Sequence, residues 1–347
     1  MGDQPFPIFN GAGLKESACL LEDYASGMRK EIGATAAAIC LVQHGRPVYE
    51  WYEGTHDENP DSRPVDARSQ FNVGSVRKTY LALAVSLLIE QKRIRRLDDP
   101  IAAYLPEYGN SAAGSRTLRH LLTHTHGLSL SDGRYHPVFE PGTRWAYGNA
   151  GIALLFELVG RLTDSTLSEF VQCEILGPAE LRETGWRTAK TPALIYNDYD
   201  RPDPRAGPND SAAGDQSNLF ATARDLAGWG LLHLRKGVVG GRQALPAAAF
   251  DRATALQTPS SLPANWPRHG LIWWLQADVP RNEIGDAVPP GSYQTLGITG
   301  CACLVIPAYD AVVVRMYNQL ENPPGYDYLQ DIRTFGNKAA VLLRPGR

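Results

Sequence analysis

The 347-residue chain is 43% hydrophobic and 20% charged with a formal net charge of -3, enough material for one large core and no electrostatic footprint for nucleic acid or an anionic membrane. Its five cysteines (Cys19, Cys40, Cys173, Cys301, Cys303) are odd in number and mostly scattered, which fits reduced thiols rather than a disulfide framework. The stretch Met1–Pro7 has neither a basic nor an apolar leader region, and no segment is long enough to span a membrane, so a cytoplasmic protein is expected.

Residues 17–31 carry the spacing of an amphipathic helix. Two apolar runs, Ala36–Val42 and Val48–Tyr52, flank His44-Gly45-Arg46-Pro47 and read as a hairpin. From Ser75 to about Lys236 the pattern is helical, broken by Pro- and Gly-rich loops, notably Asp198–Gly214. Strands return at Gly270–Gln276, Cys301–Ile306 and Ala311–Tyr317, and a helix is predicted over Tyr326–Leu343. Cys301 and Cys303 alternate on one face of their strand and read as core filling, and His269, Trp273, Trp274 and Gln294 read as packing. This order describes an α+β fold in one structural unit. Residues 1–74 and 237–347 are expected to form a sheet lobe from both chain ends, and 75–236 an inserted, mainly helical lobe.

The tetrapeptide Ser75-Val76-Arg77-Lys78 opens the apolar run that follows it. A hydroxyl and an amine three residues apart share one helix face and can exchange a proton. Gly74 permits a tight entry, and a helix N-terminus favours negative charge developing on the serine oxygen. Farther on, Tyr147-Gly148-Asn149 lies between the Pro141-Gly142 turn and an abrupt helical start, so a phenol and an amide face the same way. The same three letters occur at Tyr108-Gly109-Asn110, in what reads as a connecting loop.

With Ser-x-x-Lys followed by Tyr-x-Asn, the chain resembles the penicillin-recognising serine enzymes, most closely the branch of class C β-lactamases, D-alanyl-D-alanine peptidases and related esterases. His120–Leu128 and Ala212–Leu226 resemble further segments of that family. The resemblance implies an antiparallel sheet flanked by helices, packed on an all-helical lobe with the site between. It also implies Ser75 as nucleophile, Lys78 and Tyr147 sharing its proton, Asn149 fixing the Lys78 amine and binding the acyl-side amide, and Asn318 edging the cleft. The family's third motif, Lys-Thr-Gly or His-Thr-Gly, has its best match at Thr295-Leu296-Gly297, where the cation is missing. Ile298 keeps a backbone N–H for the oxyanion, a role that needs no particular side chain. With that cation missing, uncharged acyl esters are expected to be accepted at least as readily as carboxylate-bearing substrates.

The expectation is a serine esterase or amidase that acts on a small molecule through an acyl-Ser75 intermediate, with neither metal nor organic cofactor. A transacylase working on a natural-product ester is the neighbouring alternative. His120, His124 and His126 raise a different one, a zinc-dependent hydrolase, though no Asp or Glu stands where such a site would want it. A catalytically silent binding protein is the rival of another class.

Overall fold

A hairpin near the start and four strands near the end build the main sheet of this computed structural model, which describes residues 12–59, 61–196, 209–319 and 322–344, with side chains from residue 18 on. The start of the chain and residues 198–208 of the expected long loop lie outside those residues.

In chain order, α1 (Ala12–Glu31) precedes β1 (Ala36–Gln43) and β2 (Arg46–Gly54), and β3 (Gln70–Asn72) runs into α2 (Arg77–Glu90). Next come α3 (Leu118–Leu122), the hairpin of β4 (Leu128–Ser131) and β5 (Arg134–Pro137), α4 (Ala150–Thr163) and α5 (Leu167–Val171). Short strands β6 (Gly185–Trp186), β7 (Leu194–Ile195) and β8 (Leu219–Ala221) lead to α6 (Ala223–Leu234), the ribbon of β9 (Val238–Val239) and β10 (Arg242–Gln243), and α7 (Ala247–Thr254). The chain closes with β11 (Trp274–Leu275), β12 (Tyr293–Leu296), β13 (Ala302–Ile306), β14 (Ala311–Tyr317) and α8 (Tyr328–Leu343).

The main sheet is antiparallel, in the order β11-β12-β13-β14-β1-β2, so the chain ends meet where β14 pairs with β1, Cys40 opposite Val314. His44 and Gly45 turn the first hairpin with φ of 53° and 74°, the positive values that match a two-residue turn to strand twist. Both β1 and β14 read as continuous apolar runs because helices cover both faces: α6 packs on one, α1 and α8 on the other. The exception is Arg315 in β14, buried against Asp331 of α8 at 2.9 Å and bonded to Tyr24 of α1 at 2.7 Å, which ties both helices to the sheet.

Helix α2 is buried nearly all round, as its lack of a polar face requires, and packs on α4, α5 and α7. Tyr80 of α2 stacks on Trp229 of α6 with centroids 3.8 Å apart, and the Trp229 Nε1–H donates to Thr79 Oγ1 at 3.0 Å. Two helices fall on the other side of the expected boundary at 236/237. α6 belongs with the sheet, because Gly230 lets it lie where a Cβ would come within 2.5 Å of Val312 and 2.7 Å of Cys303. α7, assigned by sequence to the sheet lobe, packs on α2 instead, where Arg252 bonds Glu90 and the Ser86 carbonyl. The strand expected at Gly270–Gln276 shrinks to two residues because Gly270 N–H turns back to the Trp273 carbonyl and Ile272 takes a φ of 66°. Among the described residues, no helix is long and apolar enough to cross a membrane.

Candidate active site

Strand β3 delivers the chain to a sharp elbow. Asn72 Oδ1 accepts the Gly74 N–H at 2.9 Å, Gly74 takes a φ of +54°, and a single 3-10 turn over Gly74–Val76 carries Ser75 into the start of α2. The loop after β12 lies directly on this elbow. A Cβ on Gly74 would stand 3.2 Å from Ile298 N, and one on Gly297 would stand 2.1 Å from the Val73 carbonyl oxygen. Only glycine at both positions brings the Ile298 N–H beside the residue that precedes Ser75.

One turn into the helix, Lys78 Nζ lies 3.1 Å from Ser75 Oγ and 2.5 Å from Tyr147 Oη. Lys78 is 3% exposed. Burial, helped by the adjacent Arg77 guanidinium, pulls its amine down to about 7 from an ordinary 10.5. Burial pushes the Tyr147 phenol up, against the Ser75 hydrogen bond and the Arg77 charge, with Glu283 adding to the rise. At neutral pH the pair therefore holds a protonated phenol and an amine close to half neutral. The loop before α4 fixes the phenol: the Trp145 indole is buried, Ala146 N–H donates to the His124 carbonyl at 3.0 Å, and the His124 ring lies 4.6 Å from the Tyr147 ring.

Ser75, Lys78, Tyr147, Asn149, Gly297 and Ile298 all line one cleft of about 450 Å³. The other Tyr-Gly-Asn site is elsewhere, with the Tyr108 hydroxyl donating to Glu157 Oε2 at 2.7 Å. Three expectations need correction. Asn149 makes no hydrogen bond to Lys78, whose amine is taken up by Ser75 and Tyr147, so the Asn149 amide stands exposed at the cleft. Thr295 does not reach the cleft: it sits opposite Cys303, whose Sγ bonds the Leu226 carbonyl, and so faces α6 inside the protein, while Leu296 lines the cleft. Asn318 is buried outside the cleft, its amide committed to Ala36 N–H, Thr35 Oγ1 and the Tyr196 carbonyl.

The cleft also holds residues that sequence reasoning passed over. Trp274 lines it, whereas His269, Trp273 and Gln294 are buried away from it. Arg77 lines it from within the Ser-x-x-Lys tetrapeptide itself, its Nε–H donating to Ser217 Oγ at 3.2 Å. Arg281 enters from the loop before β12 and pairs with the buried Glu283 at 2.6 Å; Glu283 also accepts the Tyr328 hydroxyl at 3.0 Å, and burial pushes its carboxyl up. The cleft is thus not devoid of cations, as the bare Thr295 position suggested. A second hollow of about 490 Å³, walled by Trp145, Trp266 and Pro267, shares Tyr147 and Arg281 with the first.

The three histidines do not converge. His120 closes a capping box with Thr117, His126 Nδ1 accepts the Leu128 N–H at 3.0 Å, and His124 backs Tyr147. Among the described residues, no three His, Cys, Asp or Glu side chains gather to hold a metal ion.

A family model described as Beta-lactamase matches residues 21–334. The chain belongs to the Beta-lactamase family. Its α+β architecture is the family's β-lactamase/transpeptidase-like fold: a solved class C β-lactamase superposes with a TM-score of 0.76 over 96% of this chain and 97% of that one, at 16% identity. An uncharacterized protein of Alkalihalophilus pseudofirmus is 35% identical over 314 residues, 90% of this chain and 92% of that protein. The esterase EstB of Burkholderia gladioli is 30% identical over 213 residues, about half of each chain at 51% and 53%. In this chain glycines bring the end of β12 against the elbow before Ser75, and the cleft cations stand on elements other than β12.

Proposed function

We propose that this protein is a serine acyl-transfer enzyme of the esterase or amidase type, acting on a small-molecule ester or amide through an acyl-Ser75 intermediate. The observation that carries the reading is the chain of contacts Ser75 Oγ, Lys78 Nζ and Tyr147 Oη, at 3.1 and 2.5 Å, in a cleft large enough for a small substrate. Neutral Lys78 takes the Ser75 proton as the oxygen attacks the substrate carbonyl carbon. The Ser75 and Ile298 N–H groups receive the oxyanion. Tyr147, still protonated, gives its proton to the departing oxygen or nitrogen and is refilled from Lys78. Water, activated by the same pair, then releases the acid and regenerates Ser75.

Transacylation is the second reading. The aromatic hollow that shares Tyr147 offers a place for an acceptor other than water. Rapid mixing with a para-nitrophenyl ester tests the first reading: one equivalent of nitrophenol per enzyme should appear in a burst with wild type and none with Ser75→Ala. Turnover by the Ser75→Ala protein at the wild-type rate refutes the assignment. Addition of an alcohol or amine acceptor separates the readings, because a transacylase forms the new ester or amide in place of the acid.

A further inference from the structure

Each cation of the cleft wall but one has a counter-charge or a task. Arg281 is paired with Glu283 at 2.6 Å, Arg315 with Asp331 at 2.9 Å, and Lys78 is engaged by Ser75 and Tyr147. Arg77 is different. Two residues from Ser75 and on the cleft wall, it forms no ion pair among the described residues, the one acid that acts on it, Asp215, standing off without a salt bridge. Its Nε is held by Ser217, which is in turn fixed through the Asn72 Nδ2–H donated to the Ser217 carbonyl at 2.7 Å. The two Nη groups make no hydrogen bond to the described residues. The half-buried Arg77 guanidinium feels the charge of Asp215 without pairing with it, and a planar fork anchored by one nitrogen presents the other two for paired hydrogen bonds. The group that matches this fork in charge and geometry is a carboxylate.

We propose that Arg77 is the specificity-determining residue of this cleft and that the substrate is an ester or amide bearing a carboxylate, which the Arg77 guanidinium receives. The cation absent at Thr295 is thereby replaced from inside the nucleophile's own helix turn, at a different place in the cleft. The reading rests on the proposed serine acyl-transfer function and names its substrate class. It reverses the expectation, drawn from the third motif alone, that neutral acyl esters are accepted at least as readily as carboxylate-bearing ones. Arg77 also stands against both Lys78 and Tyr147, and its charge lowers the proton affinity of each, so bound carboxylate and catalytic pair are coupled.

The test compares three esters on one enzyme: mono-para-nitrophenyl glutarate, with the carboxylate on the acyl side; para-nitrophenyl pentanoate, neutral; and a pentanoate ester of hydroxybenzoate, with the carboxylate on the leaving side. Wild type should show a kcat/KM at least about tenfold higher for one of the two anionic esters than for the neutral one, and which of them it is assigns the side. Arg77→Gln should remove most of that preference, and Arg77→Lys should keep part of it. Because each preference is a ratio within one protein, changes in Lys78, Tyr147 or folding cancel. As a folding-independent check, glutarate should raise the melting temperature of Ser75→Ala but not of Ser75→Ala/Arg77→Gln. No anionic preference in wild type, or a preference untouched by Arg77→Gln, overturns the proposal while the acyl-enzyme burst still stands. Absence of any burst overturns the function itself and this inference with it.

Discussion

Lys78→Met should cost the protein its chemistry and give it stability, and the gain should depend on pH. Lys78 is 3% exposed, and its amine is pulled down to about 7 from 10.5. Between those values the folded chain holds fewer protons at this site than the unfolded chain, so stability rises with pH through that window; below about 7 the buried ammonium exerts its full cost. The difference, at 1.36 kcal/mol per pH unit, is about 5 kcal/mol at acid pH and falls to about 2 near pH 9. Methionine keeps the chain length and removes the charge, but it leaves the Ser75 and Tyr147 hydroxyls without their partner, a loss of about 2 kcal/mol that is constant across this range. The variant should therefore be about 3 kcal/mol more stable than wild type near pH 5 and close to equal near pH 9. Parallel urea titrations followed by fluorescence of the seven tryptophans measure both. An advantage that is the same at both pH values, or a variant less stable at acid pH, would show that Lys78 is an ordinary ammonium and remove the base from the mechanism. The same titration predicts the kinetics: kcat/KM of the wild type should rise through about pH 7 as the amine becomes neutral.

Tyr147→Phe should lower kcat by on the order of a hundredfold, whereas Tyr108→Phe, whose hydroxyl serves Glu157 and Tyr135 away from the cleft, should change it little; kcat of both variants with one ester decides between the two Tyr-Gly-Asn sites. Asp331→Asn strands the buried Arg315 charge and should lower unfolding stability by about 3 kcal/mol, read as a shift of the urea midpoint. Gly297→Ala forces a Cβ to within 2.1 Å of the Val73 carbonyl unless the strand end moves off the elbow, so kcat/KM should fall by about tenfold or more as the Ile298 N–H is displaced.

What was legible in the sequence was local or massed. The Ser75–Lys78 spacing, the His44-Gly45 turn and the apolar run of β14 each follow from residues near one another in the chain, and each stands in the structure where the sequence put it. The errors share a cause, dependence on partners far away in sequence. Which face Thr295 takes is set by its pairing with Cys303, and whether Asn318 is free is set by Thr35 and Ala36 at the other end of the chain. The placement of α6 hangs on how Gly230 meets Val312 and Cys303. Arg77 was in view from the start, but an arginine two residues from a serine says nothing until the acids around it are located. Only the pairing of Arg281 with Glu283 and of Arg315 with Asp331 singles it out.

The central claim is that Ser75 carries the acyl group. Incubation with a fluorophosphonate, followed by intact-mass measurement and peptide mapping, tests it most directly. The account predicts one adduct per chain, located on Ser75, abolished in Ser75→Ala and slowed in Lys78→Met. An unmodified chain, or an adduct that persists in Ser75→Ala, would contradict it.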